Sequence, residues 1–277
     1  MATPQLLEGT HGYRDLYELW ERQQWRVQDL DFTQDRVDWH ERFDHDRRVA
    51  ERAGFSGFFL GEQRVTKELG PIMRAAPNEE ARLFLSTQIA DEARHVAFFD
   101  RFFAEVGVMR GDDLAARIDR LEEHRDGGFR QWFDEALAQR ADRLASAPDD
   151  VETLVEAITI YHLLIEGTIA VASQHFILSR LEAEGTMPGF VEGFGNVTRD
   201  EHRHVAFGVR FLRDAVDDGY GEAVRRAVAE LEPTIDELIL PDGGLADDVV
   251  LLGTTVGERR ELARRELRRR LSAIGAG

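Results

Sequence analysis

Apolar residues recur at three- and four-residue spacing along most of the chain, the period of a helix with one buried face. Strand-like alternation is scarce. Glycines and prolines interrupt the pattern at Gly54, Gly70-Pro71, Pro77, Gly111, Gly127-Gly128, Pro148, Gly185, Pro188-Gly189, Gly219 and Pro241. The segments between predict helices over 35–53, 55–76, 78–107, 112–146, 150–184, 189–218, 220–239 and 245–274. Asn78, followed by Glu79 and Glu80, predicts a capped start for the third of these, and Asp149 or Asp150 does so for the fifth. In the last segment, from Glu258 to Leu271, Glu and Arg alternate with leucines at helical spacing, which predicts a solvated amphipathic helix without chemistry. The pattern as a whole predicts an all-α protein of long helices joined by short loops.

With 277 residues, 43% of them hydrophobic, the chain is long enough for a substantial core and is expected to form one domain over 1–277. The net charge of −18 argues against nucleic acid as a partner, because binding phosphates requires clustered cations. No cysteine is present, so disulfides, thiolate metal sites and cysteine nucleophiles are excluded, and any metal must be held by Glu, Asp and His. Met1–Gly12 lacks a basic region followed by an apolar run, which predicts a cytoplasmic protein. The longest apolar stretch, 157–179, contains Tyr161, His162, Glu166, Gln174 and His175 and suits a buried helix rather than a membrane span.

The candidate chemistry lies in a repeat. Asp-Glu-x-Arg-His occurs as Asp91-Glu92-Ala93-Arg94-His95 and again as Asp200-Glu201-His202-Arg203-His204. On a helix, residues three apart share a face, so Glu92 with His95, and Glu201 with His204, can each grip one metal ion. About one Glu-x-x-His is expected by chance in such a chain, so the arrangement matters more than the motif. Glu62 stands thirty residues before Glu92, and Glu166 thirty-five before Glu201, both in apolar surroundings. A carboxylate buried there costs several kcal/mol unless it is paired, neutralised or metal-bound. Two divalent ions balance four glutamates, and carboxylate with imidazole suits iron or manganese. One Glu from each of two helices and Glu-x-x-His from the other two is the known ligand pattern of ferritin-like dimetal-carboxylate bundles. The competing reading is four buried acids rescued by arginines, with Arg94 and Arg203 as the candidates. Asp91 and Asp200 can accept the outer N–H of the ligand histidines. His162, His175 and His202 are left outside the ligand set.

The segment Trp25 to Arg36 resembles the entry segment of ribonucleotide reductase small subunits. Gly61-Glu62-Gln63-Arg64-Val65-Thr66, the run from Tyr161 to Gly167 and Asp200–His204 resemble the ligand-binding oxidases related to those subunits. The resemblance covers about residues 20–215 and implies a ferritin-like four-helix bundle core with additional helices. It implies one manganese ion at Glu62, Glu92 and His95 and one iron ion at Glu166, Glu201 and His204, with two iron ions as the alternative. It also implies an ether cross-link between Val65 and Tyr161, and it puts Trp25 beside Asp200 and Asp91 in the layer around the ligands. Without the resemblance, Val65 would be a core valine and Tyr161 a buried phenol.

The activity so implied is activation of dioxygen for two-electron C–H oxidation, with an apolar ligand, such as a long-chain fatty acid, near the metals, in a homodimer. Gln174 lies in the region where the family often has a tyrosine near the ligand head group, a departure that argues against a fatty acid there. A ribonucleoside-diphosphate reductase small subunit is the runner-up. It is disfavoured by Phe99, four residues past His95, where such subunits usually carry a tyrosine, and by the lack of any tyrosine after Tyr220. A ferritin-like iron-binding protein is the second alternative.

Overall fold

Four long helices carry the architecture in a computed structural model that describes residues 11–123, 127–240 and 244–277. They are α1 (His45–Ala75), α2 (Glu79–Val106), α3 (Val151–Glu184) and α4 (Pro188–Ala215). Three of the four starts have a local cause. The Asp44 carboxylate accepts Arg47 N at 2.8 Å, Asn78 accepts Ala81 N at 2.9 Å, and Asp150 accepts Thr153 N at 3.1 Å. The ends of α2 and α3 fall at Gly107 and Gly185, both left-handed at φ 82 and φ 60, a conformation glycine adopts without a Cβ clash.

The N-terminus of α4 is capped from far away. Asp35, fully buried in the entry segment, accepts the N–H groups of Gly189 (2.9 Å) and Phe190 (2.6 Å), while Asp38 accepts that of Met187 (2.7 Å). This satisfies the orphan donors of the helix start and ties the entry segment to the bundle. Gly189 permits the approach, since a Cβ there would lie 2.2 Å from the Asp31 carbonyl oxygen.

The helices pack through phenylalanines, with Phe55, Phe59, Phe98, Phe99, Phe102, Phe190 and Phe194 forming a continuous buried set of ring contacts. Helix α3 passes close to α4 at Gly208, where a Cβ would sit 2.2 Å from that of His162. Val151–Glu184 is long and apolar enough to cross a membrane, but 83% of its apolar window is buried inside the protein, as in a core helix.

Several predicted boundaries move. Gly54 and Gly70-Pro71 lie inside α1, because the chain turns earlier, at Phe43-Asp44, and tertiary packing outweighs the roughly 1 kcal/mol cost of a helical glycine. The stretch predicted as one helix over 112–146 is Leu114–Glu122 and then Gly127–Ser146 in three consecutive helical segments of differing pitch, with 124–126 outside the described residues. A short hairpin, Val250–Leu251 paired with Thr254–Thr255, replaces the start of the last helix, which begins at Val256 behind a Thr255/Glu258 capping box. A helix over Tyr13–Arg22 was not anticipated. The break at Pro241, and Met1 to Thr10, lie outside the described residues.

The C-terminal helix Val256–Ala273 also departs from its expected solvated role. It packs along α3, burying Val256, Leu262, Ala263 and Leu267. Arg270 is buried against Gly167, where an added Cβ would lie 2.7 Å from its Nε. The charged repeat hid an apolar edge that only contact with α3 reveals.

Candidate metal centre

The bundle brings Glu62 of α1, Glu92 and His95 of α2, Glu166 of α3 and Glu201 and His204 of α4 to one place. None of the six is more than 7% exposed. Their ligand atoms form two overlapping clusters, one of Glu62, Glu92, His95 and Glu201, the other of Glu92, Glu166, Glu201 and His204. Glu92 and Glu201 belong to both. His95 Nδ1 lies 3.3 Å from oxygens of Glu62, Glu92 and Glu201, and His204 Nδ1 lies 3.2–3.4 Å from oxygens of Glu92, Glu166 and Glu201.

The donor set fits a pair of cations. Glu92 Oε2, Glu166 Oε2, Glu201 Oε2 and His204 Nδ1 are all buried without a hydrogen-bond partner, a costly state that a bound cation relieves. Electrostatics point the same way. Burial pushes Glu62 and Glu166 well above the ordinary carboxylate range, opposed at Glu62 by His95 and reinforced at Glu166 by the charge of Glu201. Burial acts on Glu92 and Glu201 too, but adjacent histidines hold both below that range. Burial likewise opposes charge on His95 and His204, and the facing carboxylates override it and raise both.

The outer ring nitrogens settle a pairing that sequence left open. His95 Nε2 faces Asp200 Oδ2 at 3.3 Å, and His204 Nε2 faces Asp91 Oδ2 at 3.2 Å. Each aspartate therefore orients the histidine of the other repeat. Trp25 Nε1 donates to Asp200 at 2.7 Å, and Trp20 Nε1 donates to Asp91 at 2.8 Å, so the two arrangements are related by the internal repeat. Arg94 and Arg203 each bond both aspartates. The arginines thus neutralise Asp91 and Asp200 and leave the four glutamates uncompensated, which removes the reading of acids rescued by Arg94 and Arg203.

Helix α3 is widened where it passes the site. Thr159–Ala170 follows an i to i+5 pattern, and Thr168 Oγ1 donates to the Leu163 carbonyl five residues back at 2.9 Å. Residues five apart then share a face, so Tyr161 and Glu166 both point inward, which a regular α-helix would not allow. The Tyr161 hydroxyl donates to Glu92 Oε1 at 2.6 Å. Burial and the charges of Glu166, Glu92 and Glu201 raise its pKa well above the ordinary phenol value and keep it protonated. Val65, also buried, lines the same cavity as Tyr161 and Glu62.

Gln88 and Trp20 were missed from sequence, whereas His162 was considered and left outside the ligand set. Gln88, one turn before Glu92, donates through Nε2 to Tyr161 Oη (3.0 Å) and Glu166 Oε1 (3.1 Å). His162, whose pKa burial and His204 push down to about 3, is neutral, and its Nε2–H donates to Gln88 Oε1 at 3.0 Å, which fixes the amide's orientation. The position of Gln88 four residues before Glu92, on the same helix face, was the available signal. Trp20 gave none, since its partner Asp91 lies 71 residues away. His175 and His202 make none of these contacts, and His202 Nδ1 faces the carbonyl of Thr198.

Comparison with known proteins agrees with this geometry. A family model described as ribonucleotide reductase, small chain, matches residues 10–239. A glycine-to-phenylalanine variant of the R2-like ligand-binding oxidase, with an anaerobically reconstituted Mn/Fe cofactor, is similar in structure at TM-score 0.81 and 26% identity, over 95% of this chain and 94% of that one. A tyrosine-to-phenylalanine variant with the same kind of cofactor gives 0.82 at 26% identity, over 97% and 95%. A glycine-to-leucine variant with a non-activated Mn/Mn cofactor gives 0.81 at 26%, over 97% and 94%.

Proposed function

The chain belongs to the ribonucleotide reductase small-chain family, and on that premise we propose that this dimetal oxidoreductase is a dioxygen-activating oxidase of the ligand-binding kind, rather than a nucleotide-reducing subunit. The observation that carries this reading is the Tyr161 hydroxyl, bonded to Glu92 within a widened helix that turns Tyr161 and Glu166 to the same centre. The position four residues beyond His95 is Phe99, packed among Phe58, Phe59 and Phe194, so no phenol stands there to store a radical.

In this reading Glu62, Glu92 and His95 would hold a manganese ion and Glu166, Glu201 and His204 an iron ion, with Glu92 and Glu201 common to both clusters of ligand atoms. The bound pair supplies two-electron reduction of dioxygen and the power to oxidise an unactivated C–H bond. Asp200 and Asp91 fix the ring orientation of His95 and His204 and leave Nδ1 free as the donor. Gln88 holds the phenol of Tyr161 beside Glu92.

Tyr161 and Val65 are the residues placed for self-modification. Loss of one hydrogen from a Val65 C–H bond and one from the Tyr161 hydroxyl leaves a C–O ether bond, and two electrons and two protons pass to dioxygen. In turnover, an apolar ligand such as a long-chain fatty acid takes the place of Val65 as the C–H donor in the adjoining cavity of about 1420 Å³. Peptide mapping after loading with both metals in air tests the reading: the Val65 and Tyr161 peptides should appear joined, lighter by two hydrogens. Fully metal-bound, oxidised protein with both peptides unlinked would remove the cross-link. Absence of dioxygen consumption as well would remove the oxidase.

A further inference from the structure

The N-terminal helix Tyr13–Arg22 packs across α2 and α4. With no cysteine in the chain, tyrosine and tryptophan are the side chains most readily oxidised by one electron, and two of the four tyrosines and two of the four tryptophans fall between Tyr13 and Trp25. Trp20 Nε1 donates to Asp91 Oδ1 at 2.8 Å, and Asp91 Oδ2 faces His204 Nε2 at 3.2 Å. Two polar contacts therefore join the indole to a residue of the position formed by Glu166, Glu201 and His204.

Nearly one turn earlier on the same helix, Tyr17 lies against Trp20, with ring centroids 5.9 Å apart. Both residues are half-buried, and the Tyr17 hydroxyl donates to Glu21 Oε1 at 3.3 Å on the exposed side. An unbroken series of oxidisable rings thus runs from solvent to the buried cluster. The neighbouring candidates stop short. Tyr13 is buried against Phe207, a ring far harder to oxidise. Trp25 reaches His95 through Asp200, but the Arg94 guanidinium carbon sits 5.1 Å from its ring centroid and opposes loss of an electron there. Among the described residues no tyrosine ring lies against Trp25, whose ring neighbours are His95 and Phe98.

We propose that Tyr17 and Trp20 form an electron-supply route from the protein surface to the metal position of His204, and that it discharges an oxidised metal pair when no C–H donor is in place. Trp20 gives one electron, through Asp91 and His204, to the oxidised pair, and Tyr17 then restores Trp20. The Tyr17 phenol loses its proton to the Glu21 carboxylate as it is oxidised, so the unpaired electron ends on a neutral phenoxyl at the surface. The indole N–H stays bonded to Asp91, and no other proton moves. Each pass removes one oxidising equivalent from the metals, and a one-electron reductant in solution, such as ascorbate, returns the phenoxyl to phenol with the proton from Glu21. The route rests on the oxidase reading for its oxidant, dioxygen, but not for its path.

The test is radical trapping in the full chain, loaded with manganese(II) and iron(II) and then oxidised with dioxygen or, separately, with hydrogen peroxide in the presence of the spin trap tert-nitrosobutane. Metal content is measured first, and the labelled residue is located by peptide fragment sequencing. Wild type should carry the trap on Tyr17, and metal-free protein treated alike should not. Trp20→Phe should lower Tyr17 labelling per bound metal pair by at least about tenfold. Trp20→His, which keeps a ring N–H toward Asp91 without the easily oxidised indole, should do the same, a loss that a merely structural role for Trp20 would not produce. Trp25→Phe should leave the label in place. Tyr17 labelling that survives Trp20→His, or that disappears in Trp25→Phe instead, overturns the route, as does oxidation of the metals in wild type with Tyr17 unlabelled. Labelling with peroxide but none with dioxygen would remove the oxidase reading and leave the route standing, and metals that neither oxidant changes would remove both.

Discussion

The crossed pairing of aspartates and histidines makes a prediction that a purely local reading of the repeat would reverse. Asp91 lies on the same helix as His95, yet it faces His204, and Asp200 faces His95. Replacing Asp91 by Asn keeps the shape but removes the charge that orients His204 and answers Arg94 and Arg203. Loss of such an outer partner typically costs 10–100-fold in metal affinity, about 1.4–2.7 kcal/mol. The buried cluster of two aspartates and two arginines becomes uncompensated by one positive charge, which at the scale of a broken buried pair costs about 3 kcal/mol of stability. That leaves most proteins of ordinary stability folded. Asp91→Asn should therefore lower affinity at the position held by Glu166, Glu201 and His204, and Asp200→Asn at the position held by Glu62, Glu92 and His95. Anomalous scattering at the manganese and iron edges, from crystals grown over a series of metal concentrations, reports occupancy at each position separately. If Asp91→Asn empties the His95 position instead, or both equally, the crossed orientation has no energetic meaning.

Other consequences follow from the same contacts. Tyr161→Phe deletes the 2.6 Å hydrogen bond to Glu92 and should abolish the cross-linked peptide while lowering stability by about 1–3 kcal/mol, read by chemical denaturation. Gly208→Ala forces a methyl group to within 2.2 Å of His162 Cβ, so it should cost about 1–3 kcal/mol and, by displacing His162 and Gln88, lower metal stoichiometry in the purified protein. Asp150 caps α3, and its pKa is held below the ordinary aspartate value by the Thr153 N–H and hydroxyl and by Arg143. A depressed folded pKa gives stability that is present above the unfolded value and lost as pH falls through the folded one. Asp150→Ala should cost about 1 kcal/mol near neutrality, and the gap in Tm to wild type should close in strong acid.

Much of this protein is written in local sequence. The helical period, the cap at Asn78, that at Asp149 or Asp150, which the structure gives to Asp150, and the stop at Gly185 act within a few residues, so the helices of the bundle could be read along the chain. The two Glu-x-x-His pairs and the lone Glu62 and Glu166 were legible for the same reason, since residues three apart on a helix meet whatever the helix packs against. Local cost misled at Gly54, because a helical glycine is a small penalty beside a buried face.

What only the tertiary structure decided involves groups far apart in sequence. The choice of Asp200 for His95, the indole of Trp20 on Asp91, the capping of α4 by Asp35 and Asp38, and the placing of Arg259 over Phe176 each join segments separated by more than seventy residues. The widening of α3 is local in position but not in cause, because only packing against neighbours can stabilise a less favourable helical pitch. Periodicity fixes which face of a helix is buried, and it leaves open which distant side chain that face will meet.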